Sequence, residues 1–341
     1  MEYAVIMAGG SGTRFWPKST RKMPKQCLAL NSDKPMIVEA VERLSKKFGD
    51  NLYIATGQRL KEKISEILPD VKFILEPCAR NTTGCIGLSC VKLLKKDKDA
   101  IIFIETADHV YKDEEKYFEF IKEGIGLAKE GKIVTFGITP FEPSSAFGYI
   151  EFTDKFKGNG FLVKSFVEKP SREIAMRYLQ EGNYLWNSGM FVFRADKMLE
   201  EIKNYEPEIY EGLMKIYDND SLTEEVFENM KSISIDYAVA ERTKDLVVVK
   251  ADMDWDDIGS WNSLERHHKK DNEGNVVLGK LVEISSYDNI IISDKLVATV
   301  GLKDMVIVST DKVILVCPKS RAEEVKLLID KLKIQGMNDF L

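Results

Sequence analysis

Short apolar runs alternate with segments of helical periodicity over about the first 135 residues, and this alternation restricts the fold more than any other sequence feature. Nearly continuous apolar runs, as expected for strands buried on both faces, lie at 3–8, 52–57, 71–76, 100–105 and 133–138. The intervening segments are amphipathic, as in 114–130, where Tyr117, Ile121 and Ile125 share one helical face. Strand alternating with helix predicts a parallel sheet with right-handed crossovers in an α/β fold.

The pattern changes twice in the rest of the chain. Residues 140–195 have the appearance of strands joined by turns, and amphipathic helices and a strand at 245–251 follow. Residues 275–317 are short β-branched runs separated by turn residues, which predicts a β-solenoid or a small sheet, and a helix closes the chain. We therefore predict a Rossmann-like domain with a mixed, mainly parallel sheet over 1–270 and a small β-helix-like domain over 271–341.

Composition excludes several classes of protein. The formal net charge of −6 argues against bulk attraction to nucleic acid or to an anionic membrane, so neither is an expected partner. The 5 cysteines form no CxxC pair and only 3 histidines are present, which argues against a structural zinc site. We interpret the cysteines as reduced core residues. The sequence shows no signal peptide and no membrane-spanning run, which predicts a cytoplasmic protein.

A glycine-rich loop, "AGGSGTRFWPKSTRKMPKQ", follows the first apolar run. It is not a Walker A loop, because it has no Gly-Lys pair, and Phe15 stands where a dinucleotide fingerprint needs its third glycine. Pro17 and Pro24 prevent the segment from forming one helix. What remains is a loop whose backbone N–H groups can wrap phosphate, with the guanidinium fork of Arg14 and the charge of Lys25 beside them.

Two aspartates follow predicted strands. Ligands of parallel sheets bind beyond the carboxyl ends of the strands, where Asp108 follows 100–105 and Asp257 follows 245–251. Mg²⁺ commonly takes one or two carboxylates and completes its shell with phosphate oxygens and water. By pattern alone, Asp108 is equally compatible with a helix cap or a turn, and Asp257 with a helix cap. We expect His109 to have a structural role or to support a metal ligand.

The glycine loop resembles the signature loop of the sugar-nucleotide pyrophosphorylases, GGxGTRLxPLS followed by PKQ. It is most similar to their mannose-1-phosphate guanylyltransferase branch, which has Trp before the first Pro. Further segments follow in that family's order: "EPCARNTTGCIGLS", "ADHVY", "FGYIE", "FVEKP", "WNSGMFVF", "SIDYAVAE" and "WDDIGSW". The resemblance covers 1–265 strongly and extends more loosely over the tail, which that family forms as a left-handed β-helix-like appendix. The sequence departs from the family pattern at Lys18, Cys27, Asp256 and the NTTG segment.

The resemblance implies a nucleotidyltransferase reaction. The phosphate of mannose 1-phosphate would attack the α-phosphorus of GTP with the help of Mg²⁺, giving GDP-mannose and pyrophosphate. Asp108 and Asp257 would be the metal ligands, although the adjacent Asp256 leaves open which of the two carboxylates binds. Other sugar 1-phosphates or nucleotides, and a non-catalytic subunit that senses sugar nucleotides, are the alternatives. A homodimer formed through the β-rich tail is compatible with the sequence.

The resemblance also implies roles for particular residues. Arg14 would hold the leaving pyrophosphate, Lys25 would neutralise charge on the α-phosphate, and Lys169 would bind the sugar phosphate. The nucleotide-binding residues would be Ala8, Gly9, Gly10, Ser11, Gly12, Thr13, Glu76, Arg80, Asn81 and Thr82. The sugar-binding residues would be Gly148, Glu168, Asn187 and Asp236. A carboxylate at position 76 can accept from N1–H and the exocyclic amine of guanine, which would favour guanine over adenine.

Overall fold

The structure is a computed structural model that describes residues 1–10 and 12–341. Its strands are β1 (Glu2–Met7), β2 (Leu52–Gly57), β3 (Lys72–Glu76), β4 (Ile101–Thr106), β5 (Val110–Tyr111), β6 (Ile133–Ile138), β7 (Tyr149–Lys157), β8 (Gly160–Val167), β9 (Tyr184–Arg194), β10 (Leu246–Lys250), β11 (Trp255–Asp256), β12 (Val276–Ile284), β13 (Ile290–Val300), β14 (Met305–Ser309) and β15 (Ile314–Pro318). Its α-helices are α1 (Met36–Phe48), α2 (Gln58–Ile67), α3 (Asn81–Leu94), α4 (Glu114–Lys129), α5 (Arg172–Glu181), α6 (Ala195–Tyr205), α7 (Pro207–Asp218), α8 (Thr223–Asn229) and α9 (Val325–Ile334).

The main sheet has the strand order β3-β2-β1-β4-β9-β6-β10-β8-β7. Strands β8 and β9 run opposite to the others, because each pairs antiparallel with its neighbours, while β3, β2, β1 and β4 are mutually parallel. All the apolar runs predicted as strands belong to this sheet. The prediction of a mixed, mainly parallel sheet is confirmed.

The continuous apolar runs are explained by burial on both faces of the sheet. On β4, the ring of Phe103 lies 6.3 Å from that of Tyr117 on α4, whereas Ile102 and Ile104 belong to the core that includes Leu213 of α7. Each fully buried side chain of this size contributes about 1.5–3 kcal/mol of hydrophobic free energy. A strand with both faces covered therefore has no position for a polar side chain without a specific partner.

One helix was missed by the prediction of strands and turns over 140–195. Helix α5 begins after Ser171, whose hydroxyl accepts from the N–H of Ile174, and ends at Gly182, which adopts a left-handed conformation with φ 74°. Both are ordinary helix-boundary residues. The strand pattern on either side of this short amphipathic segment concealed these signals.

The chain forms two compact units. The first comprises Met1–Gly9 and Ala40–Asp256, and the second comprises Gly10–Glu39 and Asp257–Leu341. In the second unit, β12, β13 and β14 are parallel neighbours and β15 pairs antiparallel with β14. At the turns, buried Asn275 accepts from the side-chain amide of Asn289 at 3.0 Å, which supports consecutive coils. The prediction of a β-helix-like part is confirmed.

Several smaller predictions also concern the described residues. No disulfide joins any of the five cysteines, all of which lie among the described residues. All four tryptophans are buried, namely Trp16, Trp186, Trp255 and Trp261. None of the helices in 1–10 and 12–341 combines the length and apolar character that a membrane crossing requires.

Candidate active site

The glycine-rich loop begins where β1 ends. The N–H of Ala8 donates to the carbonyl of Ala55 at 2.9 Å, and the carbonyl of Ala8 accepts from the hydroxyl of Thr56 at 3.0 Å. Both backbone groups of Ala8 are therefore bonded inside the first unit. This leaves phosphate contacts to the residues that follow. Among them, Ser11 lies outside the described residues.

Gly12 and Lys25 pack directly against each other in the second unit. Gly12 has φ 59°, and a Cβ at this position would lie 2.2 Å from the Cβ of Lys25, so only glycine fits. The side chain of Lys25 is buried, and its Nζ lies 5.1 Å from the ring centre of Phe15 and 3.5 Å from the carbonyl oxygen of Asp257. Burying an ammonium group is costly unless polar or charged groups lie beside it, and the carbonyl of Asp257 is one such group.

Arg14 and Gln26 are the other polar side chains of this loop. Arg14 lies in the 3-10 turn formed by Thr13–Phe15, and its Nε is buried without a hydrogen-bond partner among the described residues. The amide of Gln26 donates to the carbonyl of Gly10 at 2.9 Å and so holds the loop in place. A buried guanidinium nitrogen with an unused N–H is suited to binding an anion.

Glu76 ends β3 and faces the start of the glycine loop in the first unit. Its Oε2 lies 3.9 Å from where a Cβ on Gly9 would be. Burial raises the pKa of Glu76 to about 7, and a hydrogen bond with Cys85 opposes this shift. Near neutral pH, a ligand that donates hydrogen bonds to this carboxyl would therefore favour its ionised form.

The residues after Glu76 are bonded mainly to the protein itself. The guanidinium of Arg80 donates to the carbonyls of Phe227 and Glu228 at the end of α8. Asn81 begins α3 with φ 60°, and the hydroxyl of Thr82 accepts from the N–H of Ile235 at 2.8 Å. The family resemblance implied that these three residues bind nucleotide. These hydrogen bonds instead hold the loop to the rest of the protein.

Gly148 and Asn187 lie together in the first unit, as expected from the sequence. The N–H of Asn187 donates to the carbonyl of Gly148 at 2.8 Å. The side chain of Asn187 donates to Asp236 at 3.1 Å and accepts from Thr135 at 3.1 Å and from the N–H of Gly189 at 3.1 Å. This amide is held firmly and keeps one N–H for a ligand.

Lys169 lies beside the carboxylate of Glu168, which is itself next to Gly148. Lys169 has φ 47°, and its Nζ lies 2.5 Å from Oε1 of Glu168. The N–H of Glu168 donates to Glu241 at 3.3 Å. Burial and the charge of Glu168 raise the pKa of Asp236 to about 6. Sequence reasoning missed Glu241, although it lies in the same motif, "SIDYAVAE", as Asp236.

Gly148 leaves room for the Glu168 carboxylate, and its replacement tests the sugar-binding role that the family resemblance implies for Gly148, Glu168 and Asn187. A Cβ at this position would lie 2.5 Å from Oε2 of Glu168. We expect Gly148→Ala to displace that carboxylate and to raise KM for the sugar phosphate about tenfold or more, with KM for the nucleotide unchanged. Steady-state kinetics with each substrate varied in turn measure this. Equal changes in both constants would contradict the assignment.

The candidate metal ligands flank a short antiparallel ladder. Strand β5 pairs with β11, and Val110 lies opposite Asp256. Asp108 is two residues before Val110 in the sequence, and Asp257 directly follows Asp256. The alternative roles as helix caps are not supported, because Asp113 caps α4 and Ser260 caps the 3-10 helix that begins at Trp261. Asp108 does lie in a turn, as its other alternative role requires.

The chemistry of these donors suits Mg²⁺. The described residues contain no group of three or more His, Cys, Asp or Glu side chains arranged to hold a metal ion. Magnesium does not need such a cage, because one or two carboxylates suffice when substrate phosphates and water complete the octahedron. Asp108 and Asp257 are hard oxygen donors of this kind.

The fold and the polar residues at its strand ends define a nucleotide-binding α/β enzyme. A family model for nucleotidyl transferases matches residues 3–274, and a model described as a MannoseP isomerase/GMP-like beta-helix domain matches 279–332. A relative from Escherichia coli O157:H7, mannose-1-phosphate guanylyltransferase 2, is 36% identical over 99% of this chain and 75% of its own length. The chain therefore belongs to the nucleotidyl transferase family, among the mannose-1-phosphate guanylyltransferases.

Two further proteins show the same similarity. A mannose-1-phosphate guanylyltransferase from Klebsiella pneumoniae is 38% identical over 98% of this chain and 75% of its own length. A solved structure from Thermus thermophilus, named mannose-1-phosphate geranyltransferase, has a TM-score of 0.91 and 33% identity. It covers 97% of this chain and 99% of its own. The similarity in structure thus extends over both compact units, each with its own fold.

Proposed function

We propose that this protein transfers GMP from GTP to mannose 1-phosphate and releases pyrophosphate. The observation that carries the proposal is the match, over 99% of the chain, to a relative named mannose-1-phosphate guanylyltransferase. In the reaction, an oxygen of the sugar phosphate forms a bond to the α-phosphorus of GTP. The bond from that phosphorus to the bridging β-phosphate oxygen breaks, and the electron pair leaves with pyrophosphate.

The nucleophile is already ionised, so the protein has to offset charge and align the groups rather than move protons. Lys25 supplies a buried positive charge for the α-phosphate, where the low local dielectric strengthens its effect. The unused Nε–H of Arg14 is suited to the leaving pyrophosphate. Backbone N–H groups of Gly9, Gly10, Ser11, Gly12 and Thr13 are proposed to wrap the triphosphate.

Asp108 and Asp257 are the residues proposed to hold Mg²⁺. When bound, the metal would supply positive charge to the phosphate oxygens of the substrates. The support for this assignment is the sequence, since Asp108 lies in "ADHVY" and Asp257 in "WDDIGSW", two motifs that resemble those of the family. Asp256 itself belongs to β11 and is buried, which favours Asp257 as the ligand.

Asn187, Glu168 and Lys169 are proposed to bind the sugar phosphate. The remaining N–H of Asn187 and the carboxylate of Glu168 suit sugar hydroxyls. Lys169 has a strained left-handed backbone, which commonly marks functional residues. Asp236 is proposed to orient Asn187 through their hydrogen bond.

Glu76 is proposed to read the guanine base, and its substitution tests this role. The ionised carboxylate would accept from two N–H groups of guanine. Below a pH of about 7 the carboxyl of Glu76 is mostly protonated, so it must lose its proton before guanine binds in this way. KM for GTP should therefore fall as pH rises from 6 to 8. We expect Glu76→Gln to abolish this pH dependence and to lower the preference for GTP over ATP about tenfold or more. KM for mannose 1-phosphate, measured in parallel, should not change. An unchanged nucleotide preference would refute the assignment.

A substrate panel tests the proposed function. Pyrophosphate release is measured with four nucleoside triphosphates, each combined with several hexose 1-phosphates, in the presence of Mg²⁺. We expect the highest kcat/KM for GTP with mannose 1-phosphate. If another nucleotide and sugar phosphate give the highest kcat/KM, the proposed reaction type stands and the proposed substrates are wrong. Absence of release by folded protein that still binds GTP would indicate a sensing subunit.

Further properties complete the proposal. We propose a cytoplasmic location, which five cysteines without a disulfide among the described residues support. We also propose that residues 1–270 are the catalytic part and 271–341 the β-helix-like appendix. A homodimer is supported by apolar side chains exposed along two neighbouring strands, β12 and β13, among them Val282, Ile284, Leu296 and Val300. Light scattering measures this oligomeric state directly.

A further inference from the structure

A buried ion pair lies just before the turn that carries Asp108. Glu105, near the end of β4, has a fully buried side chain. One of its carboxylate oxygens accepts from the guanidinium of Arg43 on α1 at 2.9 Å. The other accepts from the hydroxyls of Tyr117 at 2.6 Å and Tyr111 at 3.1 Å. A buried ion pair rarely makes a protein more stable than apolar side chains of similar size would. We therefore look for a role of this pair in positioning its neighbours.

The two tyrosines are fixed hydrogen-bond donors. The guanidinium of Arg43 lies 4.6 Å from the ring centre of Tyr111 and 5.3 Å from that of Tyr117, which are cation–π distances. Burial, together with the charge of Glu105, raises the pKa of both hydroxyls well above the usual range. Both hydroxyls therefore stay protonated at neutral pH and can donate to the carboxylate.

Tyr111 connects this ion pair to His109. The hydroxyl oxygen of Tyr111 lies 3.2 Å from Nδ1 of His109 and 2.9 Å from the sulfur of Met190. Its single proton goes to the strongest acceptor, which is the carboxylate of Glu105. The oxygen then accepts from Nδ1–H, so this contact requires a proton on Nδ1 of His109. The imidazole also packs edge-to-face on Trp255 at 5.3 Å.

We propose that the Tyr111 hydroxyl is a positioning group for metal binding. By linking the Arg43–Glu105 ion pair to the His109 ring, it fixes the turn in which Asp108 directly precedes His109. The hydrogen bond thereby contributes to the backbone geometry from which the Asp108 side chain extends. This inference rests on the proposed role of Asp108 as a metal ligand. Removing a group that is bonded directly to a metal ligand typically lowers metal affinity about 10–100-fold. Tyr111 acts through the residue next to the ligand, so we expect the lower end of that range.

Tyr111→Phe and Tyr117→Phe form a matched pair for the test. Each removes one hydroxyl that donates to the same oxygen of Glu105, but Tyr111 also contacts Nδ1 of His109. Mn²⁺ binding to the full-length protein with GTP and no sugar phosphate is measured by electron paramagnetic resonance. We expect Tyr111→Phe to weaken Mn²⁺ binding about tenfold. Tyr117→Phe should stay close to wild type.

Nitrogen-15 spectra of the histidine rings provide a second readout. The chain has only 3 histidines, so the spectrum of His109→Gln identifies the resonances of His109. We expect Tyr111→Phe to shift the Nδ1 and Nε2 resonances of His109, because Nδ1 of the imidazole loses this hydrogen-bond partner. Tyr117→Phe should leave them in place.

Two outcomes would overturn the proposal. One is equal loss of Mn²⁺ affinity in both tyrosine variants, which would indicate a general effect of the network on folding. The other is a Tyr111→Phe protein with unchanged Mn²⁺ binding and unchanged His109 resonances. Asp108→Asn separates the two levels of inference. If Asp108→Asn retains Mn²⁺ binding, the metal assignment itself is wrong. If it loses binding while Tyr111→Phe does not, only the positioning role is wrong.

Discussion

Asp257→Asn is expected to lower kcat/KM for GDP-mannose formation at least about a hundredfold, the usual effect of removing one electrostatic contact to a transition state. The amide keeps the size of the side chain but loses the charge that would hold Mg²⁺. Thermal unfolding should be little changed, because Asp257 does not cap the helix that follows, where Ser260 takes that role. Pyrophosphate release at several Mg²⁺ concentrations, with a melting curve for each protein, measures both quantities.

Asp256→Asn decides between the adjacent carboxylates. Asp256 is buried in β11 opposite Val110, so its replacement should affect the ladder more than the metal. We expect it to lower the melting temperature while retaining most of the response to Mg²⁺. The reverse result, with Asp256→Asn inactive and Asp257→Asn active, would show that the metal ligand had been assigned to the wrong residue.

Lys25→Met is expected to lower kcat about a hundredfold or more, with a smaller effect on KM for GTP. Lys25 is buried beside Phe15, and methionine retains much of this packing while removing the charge. The melting temperature of the variant is measured beside its kinetics, so that any loss of turnover is assigned to folded protein. Single-turnover kinetics and calorimetry provide the two measurements.

Lys22→Met is the matched control for this prediction. Lys22 belongs to the same segment but is exposed, so its charge is largely screened by water. We expect turnover close to that of the wild type. If both variants lose activity equally, the loop acts through its overall positive charge, and the specific role of Lys25 is wrong.

Much of the fold follows from the sequence because burial leaves a strong pattern. Strands such as β4 and β6 lie where continuous apolar runs occur, since both faces of the sheet are covered. Helix α5 was not predicted, because a short amphipathic helix between strands gives only a weak sequence signal. The grouping of Gly10–Glu39 with Asp257–Leu341 was also beyond the sequence, because it depends on contacts distant along the chain.

Part of the candidate site was predictable for a different reason, namely the family's motifs. Motifs identified Gly148, Glu168 and Asn187, which the structure brings together. The ion pair of Arg43 and Glu105 was missed, because its partners are distant along the chain. A glutamate at the end of an otherwise apolar strand was the available signal. The hydrogen bonds of Arg80 to α8 likewise depend on tertiary contacts that no local pattern encodes.

Phosphorus-31 NMR of the purified protein with GTP, mannose 1-phosphate and Mg²⁺ tests the central claim most directly. We expect the signals of GTP and the sugar phosphate to decline together while those of a nucleoside diphosphate sugar and pyrophosphate appear in equal amounts. Formation of GDP and inorganic phosphate, with mannose 1-phosphate unchanged, would contradict transfer of GMP to the sugar phosphate.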